Sequence, residues 1–238
     1  KTARIQPAWA DIDLAPDAAA GELVARAQKR IGPIANRLIT RIDQDITREE
    51  KRDGQSALGI LVADAQRAAG GSDFAFTNSG GLRSDLHASK PLSAAQPAGS
   101  LTFSDLYSVQ PFGNTLIRMT LSGEQIYALL ESQFSPTGAR LHTLHVSGLS
   151  YRWQPHAKGP KVIEVRKGGA PIDRSAHYSV TASNFLAEGG DRFKTFSEGR
   201  EQVIVGNDLN ALIDYVEKHS VSGKLELPQN AARVIRDE

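Results

Sequence analysis

Two phenylalanines, Phe112 and Phe185, stand outside any periodic apolar run and inside glycine-bearing segments, Pro111-Phe112-Gly113-Asn114 and Asn184-Phe185-Leu186-Ala187-Glu188-Gly189-Gly190-Asp191. Two rings carried on loops can sandwich a flat heterocycle, and base–aromatic stacking contributes about 1–3 kcal/mol per base. A third segment, Asn78-Ser79-Gly80-Gly81-Leu82-Arg83, adds polar groups of the right kinds. The Asn78 amide offers a donor and an acceptor, which suits the edge of a base. Arg83 carries a permanent charge in a planar fork that suits phosphate or ribose oxygens. The Asp191 carboxylate can accept from both hydroxyls of a ribose. Together these groups would make a nucleotide clamp. Taken singly, each has a plainer reading: a Phe beside Gly as a core residue at a turn, an Asn before Gly-Gly as a turn former, Asp191 as a local cap.

These segments need elements to hold them, and the chain supplies helices alternating with strands. Leu23, Val24, Ala27, Ile31, Ile34, Leu38 and Ile42 recur at helical spacing from Glu22 to about Ile42, with Gly32-Pro33 expected to kink or split the helix. A charged, exposed stretch, Asp43 to Asp53, precedes a helix capped by Ser56 and ended by Gly70-Gly71, with Leu58, Leu61, Val62 and Ala65 on one face. Asp73 to Thr77 reads as a short buried strand feeding the Asn78 segment. A long polar connection, Ser84 to Ser100, leads to a short helix capped by Ser104. Thr115 to Leu121 reads as a strand, and Ser122 opens a helix with Ile126, Leu129 and Leu130 facing in. Strands are expected at Leu149 to Trp153, Val162 to Val165 and Tyr178 to Ala182, and a last helix from Asp208 to about Lys218. Each of the three candidate loops therefore sits at a strand end, where binding groups concentrate. Several strands are close enough to pair as hairpins, which favours an α+β fold, a mixed β-sheet with packed helices, over a doubly wound sheet.

Composition narrows the chemistry. The 238 residues are 40% apolar, enough for a core, and the formal net charge of +1 gives no field for nucleic acid and no polybasic membrane anchor. No apolar stretch approaches a transmembrane length. The absence of cysteine excludes disulfides, thiolate metal sites and cysteine nucleophiles. The chain opens on Lys1, and we read it as a mature or truncated form of a longer protein, with residues 1–21 as a linker and 22–238 as one domain.

The segments Thr77-Asn78-Ser79-Gly80-Gly81-Leu82-Arg83, Val109-Gln110-Pro111-Phe112-Gly113-Asn114-Thr115-Leu116, Leu121-Ser122-Gly123-Glu124-Gln125-Ile126 and Ser183 to Asp191 resemble, in this order, blocks of the C-terminal domain of the 5'-nucleotidase family. That family includes UDP-sugar hydrolases, 2',3'-cyclic-nucleotide phosphodiesterases and ecto-5'-nucleotidases. The resemblance implies that Phe112 and Phe185 stack on the base, that Asn78 and Arg83 contact the nucleotide, and that Gly80 lets the ligand approach the backbone. It implies a base-side role for Asn114 and a ribose-holding role for Asp191. A second arginine is expected shortly before the helix containing Leu58-Gly59; Arg52 stands at that distance without a gap, with Lys51 and Arg41 as alternatives.

By the same resemblance, hydrolysis belongs to an N-terminal metallophosphatase domain holding two divalent metal ions, marked by Asp-x-His and Gly-Asn-His blocks. This sequence has no Gly-Asn-His. Its Asp85-Leu86-His87 has no apolar strand before it and reads as coincidence. His142 and His145 lie in a strand-like stretch, Leu141 to Val146, where positions three apart point to opposite sides, so they read as packing or surface histidines. We find no catalytic residue, no metal ligand set and no cofactor site in the chain itself. Its expected partners are a nucleotide or nucleoside and the metallophosphatase domain of the same protein, and its expected location is periplasmic or extracellular. Two other readings stay open: a sulfur-oxidation thiosulfohydrolase domain, and a non-catalytic binding module.

Overall fold

The computed structural model describes residues 15, 17–89, 98–135, 142–154, 161–227 and 232–237. Most of the expected linker, residues 90–97 of the polar connection, and Leu141 lie outside the described residues.

Helix α1 spans Ala18–Ala35, capped by Asp17, whose carboxylate accepts from the Ala20 amide at 2.8 Å. Pro33 is accommodated near its end, and the chain turns at Asn36 into strand β1, Leu38–Arg41. The helix expected to run to Ile42 thus stops at Ala35. Leu38 keeps helical spacing with Ile34, but residues 38–41 pair instead with strand β3, Ser100–Thr102. The apolar stripe of α1 stays on the surface, with Leu23, Val24, Ile31 and Ile34 each more than half exposed.

Helix α2, Ala57–Gly70, begins as expected at Ser56, whose Oγ accepts from the Gly59 amide at 3.0 Å, and ends at Gly71 in the left-handed region, φ +56°. Strand β2, Phe74–Asn78, is buried throughout and runs straight into the Asn78 loop. Helix α3, Phe103–Val109, is capped two residues earlier than expected. Thr102, not Ser104, accepts from the Asp105 amide, and the Asp105 carboxylate returns the bond to the Thr102 amide at 2.6 Å. Strand β4, Thr115–Ser122, leads through the Ser122 cap into helix α4, Gly123–Glu131. Strands β5, Leu144–Ser147, β6, Ser150–Gln154, β7, Lys161–Lys167, and β8, Ala170–Pro171, follow. Strand β9, His177–Ser183, ends at the short helix α5, Asn184–Ala187. Strand β10, Arg200–Asn207, was not expected; it is an exposed edge strand. Helix α6, Asp208–Lys218, has the expected bounds, and the short strands β11, Ser220–Val221, β12, Lys224–Leu225, and β13, Val234–Arg236, close the chain.

The main sheet has the order β10-β4-β9-β2-β5, with only β2 and β9 parallel, so the expected mixed sheet is present. One face carries α2 and α6; the core between them includes Leu58, Leu61, Val62, Leu212 and Val216. The other face packs Phe74, Phe76, Leu121 and Val180 against α4 and the β6–β7 hairpin. Helix α2 lies so close to β5 that a Cβ on Gly59 would sit 2.2 Å from the His145 ring. The C-terminal strand β13 pairs with β6 and is pinned by Arg233, whose two guanidinium nitrogens meet both oxygens of the buried Asp64 at 2.8 and 2.7 Å.

Candidate functional site

Sheet register decides where the three loops go. Strand β4 begins at Thr115, and its antiparallel partner β9 ends beside it, with Leu116 opposite Ser183. Strand β2 runs parallel to β9 and ends at Asn78; β5 is antiparallel to β2 and starts opposite it, Leu144 facing Asn78. Strand β10 also ends at this edge, Asn207 opposite Thr115. The loops 78–83, 111–114 and 184–191 therefore share one end of the sheet.

Hydrogen bonds tie the loops to one another. The Asn78 Nδ2 donates to Asp191 Oδ2 at 2.7 Å, joining the first loop to the third. The Arg83 amide donates to the Val109 carbonyl at 2.9 Å, joining the first to the end of α3 just before Pro111. The Thr115 amide donates to Asn184 Oδ1 at 3.0 Å, joining the second to the third. Gly80 faces the Asn78–Asp191 contact; a Cβ there would lie 3.2 Å from Asn78 Nδ2 and 3.6 Å from Asp191 Oδ2. Asp191 and Arg192 hold left-handed backbones, φ 51° and 69°, a conformation that Asp tolerates better than most residues.

Both phenylalanines are exposed, Phe112 at 57% and Phe185 at 43%, so neither is the core residue at a turn that each could have been. The Arg83 guanidinium carbon lies 5.8 Å from the centroid of the Phe112 ring, and Arg83 Nη1 donates to the Gly80 carbonyl at 3.3 Å. Phe185 rests on Gly190, where a Cβ would come within 2.5 Å of the ring and 2.6 Å of the Phe185 carbonyl. Asn114 Nδ2 donates to Asp208 Oδ2 at 2.9 Å, and the Asn114 carbonyl accepts from the Asp208 amide at 2.9 Å. Burial at the start of α6 raises the Asp208 pKa, and its bonds from Asn114 and the Leu209 amide oppose that rise.

Arg52 sits on an exposed turn and lines a cavity of about 500 Å³ with Asp53, Ala232 and Val234 to Asp237. Lys51 and Arg41 are exposed too. Arg48 is the arginine behind the first loop: its Nη1 donates to the Arg83 carbonyl at 3.2 Å and its Nε to Asp85 Oδ1 at 3.2 Å. Asp85 is thus occupied by Arg48, and His87 Nδ1 lies 2.9 Å from Asp45 Oδ2. His142 precedes β5, its ring 6.2 Å from that of Phe193, whereas His145 is fully buried. Among the described residues no three His, Cys, Asp or Glu side chains gather as a metal site. Sequence reasoning missed Asn184 as a loop brace, Gly190 as the seat of Phe185, and Asp208 as the partner of Asn114. Asn184 and Gly190 lie in the Ser183–Asp191 segment that resembles the family, so the signal was present without its mechanism.

Residues 23–198 match the family model described as 5'-nucleotidase, C-terminal domain. The chain belongs to this family. It is 30% identical over 204 residues to the endonuclease YhcR of Bacillus subtilis (strain 168), covering 85% of this chain and 16% of that protein. Among solved structures, a 5'-nucleotidase precursor from Thermus thermophilus is 29% identical with a TM-score of 0.71, covering 92% of this chain and 43% of that one. A sulfate thiohydrolase, SoxB, from Thermus thermophilus shares the fold at a TM-score of 0.65 and 19% identity, covering 91% of this chain and 39% of that one. The chain thus spans less than half the length of each of these relatives. No helix among the described residues is long and apolar enough to cross a membrane.

Proposed function

We propose that this 5'-nucleotidase C-terminal domain binds the nucleoside part of a nucleotide and presents its phosphate to a dimetal phosphohydrolase domain of the same protein. The observation that carries this reading is the set of three cross-braced loops at one sheet end, displaying two exposed phenylalanines beside an Asn–Asp pair and an arginine. Phe112 and Phe185 would hold the base by stacking. Asn114, with its Nδ2 committed to Asp208, would turn its side-chain oxygen Oδ1 to a donor on the base edge. Asp191, with Oδ2 committed to Asn78, would accept from the ribose hydroxyls through Oδ1. Gly80 would keep the floor beside that pair open, and Arg83 would offer its remaining N–H groups to ribose or phosphate oxygens. Arg52 would add a further substrate contact, a role that rests on its spacing from Leu58-Gly59. Two divalent ions in the partner domain would, when bound, activate water and balance charge on the phosphoryl group. The residues of this chain bind and orient; hydrolysis by the chain alone would be negligible.

The whole protein would then be a periplasmic or extracellular hydrolase of nucleotide catabolism. The thiosulfohydrolase reading is weaker because an enzyme acting on a protein-borne sulfur group has no use for two aromatic faces. Titration calorimetry with adenosine, AMP and UDP-glucose tests the proposal. Wild type should bind, and Phe112→Ala and Phe185→Ala should each weaken binding by roughly fivefold to 150-fold. Unchanged affinity in both variants would end the stacking assignment, and no heat from wild type would favour a non-catalytic module that has kept only the fold.

A further inference from the structure

Ser79, between Asn78 and Gly80, is the one loop residue whose hydroxyl is held from both sides. Its Oγ lies 2.5 Å from Glu50 Oε1 and 3.1 Å from His145 Nε2. The proton positions follow from the neighbours. The Ser56 backbone N–H can only donate, and it points at His145 Nδ1 at 3.5 Å, so Nδ1 accepts. Neutral His145 then carries its proton on Nε2 and donates to Ser79 Oγ. The Ser79 hydroxyl has one proton, and it goes to Glu50, the acceptor-only partner. The second Glu50 oxygen accepts from Thr143 Oγ1 at 3.0 Å, and the Ser79 amide donates to the Thr143 carbonyl at 3.2 Å.

We infer that His145, Ser79 and Glu50 form a positioning relay that sets the Asn78–Arg83 loop for ligand, with His145 and Glu50 acting through Ser79 and touching no ligand themselves. This rests on reading that loop as part of a nucleoside site. Three features make the relay rigid at the His145 end. The ring is fully buried, it fills the notch left by Gly59 on α2, and the adjoining Gln55 side chain bonds both the Leu144 carbonyl and the Val146 amide, at 3.1 and 3.3 Å. A hydroxyl fixed from both sides allows little play in the single turn that follows, closed by the Leu82 amide on the Ser79 carbonyl at 3.1 Å. That turn carries Gly80 and starts at Asn78, whose amide must meet Asp191. With its proton on Nε2, His145 faces Ser79 as a donor and not as the base that would activate a nucleophile.

The test uses His145→Gln, which keeps a donor near the Nε2 position, His145→Leu, which keeps volume only, and Ser79→Ala. Adenosine affinity is measured by calorimetry, and amide hydrogen exchange of residues 78–83 is measured in ligand-free protein. The relay predicts that His145→Leu and Ser79→Ala weaken binding by about tenfold, the upper scale of one hydrogen bond, and speed exchange across the loop, while His145→Gln restores both. Wild-type affinity and wild-type exchange in Ser79→Ala and His145→Leu would overturn it, as would equal loss in His145→Gln and His145→Leu. If wild type binds no nucleoside, the site reading fails by itself, and loop exchange decides the relay: faster in Ser79→Ala supports it, unchanged refutes it. Ser79→Ala changes no buried volume of note, so it keeps the test open should His145→Leu fail to fold.

Discussion

Replacing Gly190 by Ala is a sharp test of how Phe185 is held, because the glycine touches no ligand in the proposed site. A Cβ there would lie 2.5 and 2.6 Å from two ring carbons of Phe185 and 2.6 Å from its carbonyl oxygen. Carbon atoms at ease sit roughly 3.5–4.0 Å apart, so the ring must retreat by about 1 Å. Ring rotation cannot relieve the clash with the carbonyl, so the backbone of α5 must move as well. Overpacking of this kind costs about 1–3 kcal/mol of stability. The displaced ring also loses much of the roughly 1–3 kcal/mol that one stacked face contributes, a weakening of about fivefold to 150-fold in adenosine affinity. Calorimetry on Gly190→Ala, Phe185→Ala and the double variant checks this, with urea unfolding as the stability control. The double variant should lose less affinity than the sum of the two single losses, since both changes remove the same ring contact while the carbonyl clash persists. Wild-type affinity in Gly190→Ala at wild-type stability would refute the argument that the Gly190 notch sets the ring.

Other outcomes follow from the same geometry. Asn184→Ala strips the acceptor from the Thr115 amide, and should cost about 1 kcal/mol in urea unfolding while loosening nucleoside binding, because it parts the second loop from the third. Asp64→Asn leaves Arg233 largely buried with half its partner, and should lower unfolding free energy by about 3–5 kcal/mol. Asp208 should make stability fall with rising pH over a defined window. Burial raises its folded pKa above the ordinary 3.8, so between 3.8 and the raised value the folded state binds more protons than the unfolded one. That contribution is full below 3.8 and is lost as pH rises through the folded pKa; Asp208→Asn should flatten this segment of the urea-stability profile.

How far the sequence could be read depended on whether a residue acts near its own position. Helix α6 and the Ser56 and Ser122 caps were legible because spacing and capping are local. Strand β1 was not: Leu38 and Ile42 continue the 3–4 spacing of α1, and only the distant pairing with β3 makes residues 38–41 extended. The cap of α3 was misplaced because Asp105, rather than Glu or Gln, closes the Thr102 capping box. Strand β10 escaped notice because an edge strand interrupted by bulges, with Glu201 at φ 52°, shows no clean alternation. In the site, Phe112 and Phe185 stood out as rings without a period, and Asn78, Arg83 and Asp191 as polar groups beside glycines. Their braces did not stand out, since Asn78 and Asp191 are 113 positions apart and Ser79 and His145 are 66 apart.

In the proposed site, the bracing would let one end of a small sheet serve as a binding surface. Loops at strand ends are ordinarily the least restrained part of a fold, and a clamp built on them would spend its binding energy on ordering itself. Here each loop is bonded to another through an element that begins or ends at the same edge: β2 through Asn78 to Asp191, β4 through Thr115 to Asn184, α3 through Val109 to Arg83. The bonds use groups that the fold already fixes, a strand's last residue, a strand's first amide, a helix's last carbonyl. The ordering is therefore done when the chain folds, and the two aromatic faces are left exposed without being left loose. A fold retained only as a spacer would need none of these cross-bonds, and losing them would cost it nothing but loop order. That difference makes Asn184→Ala informative beyond its own stability effect, because in a spacer it would alter the melting curve and nothing else.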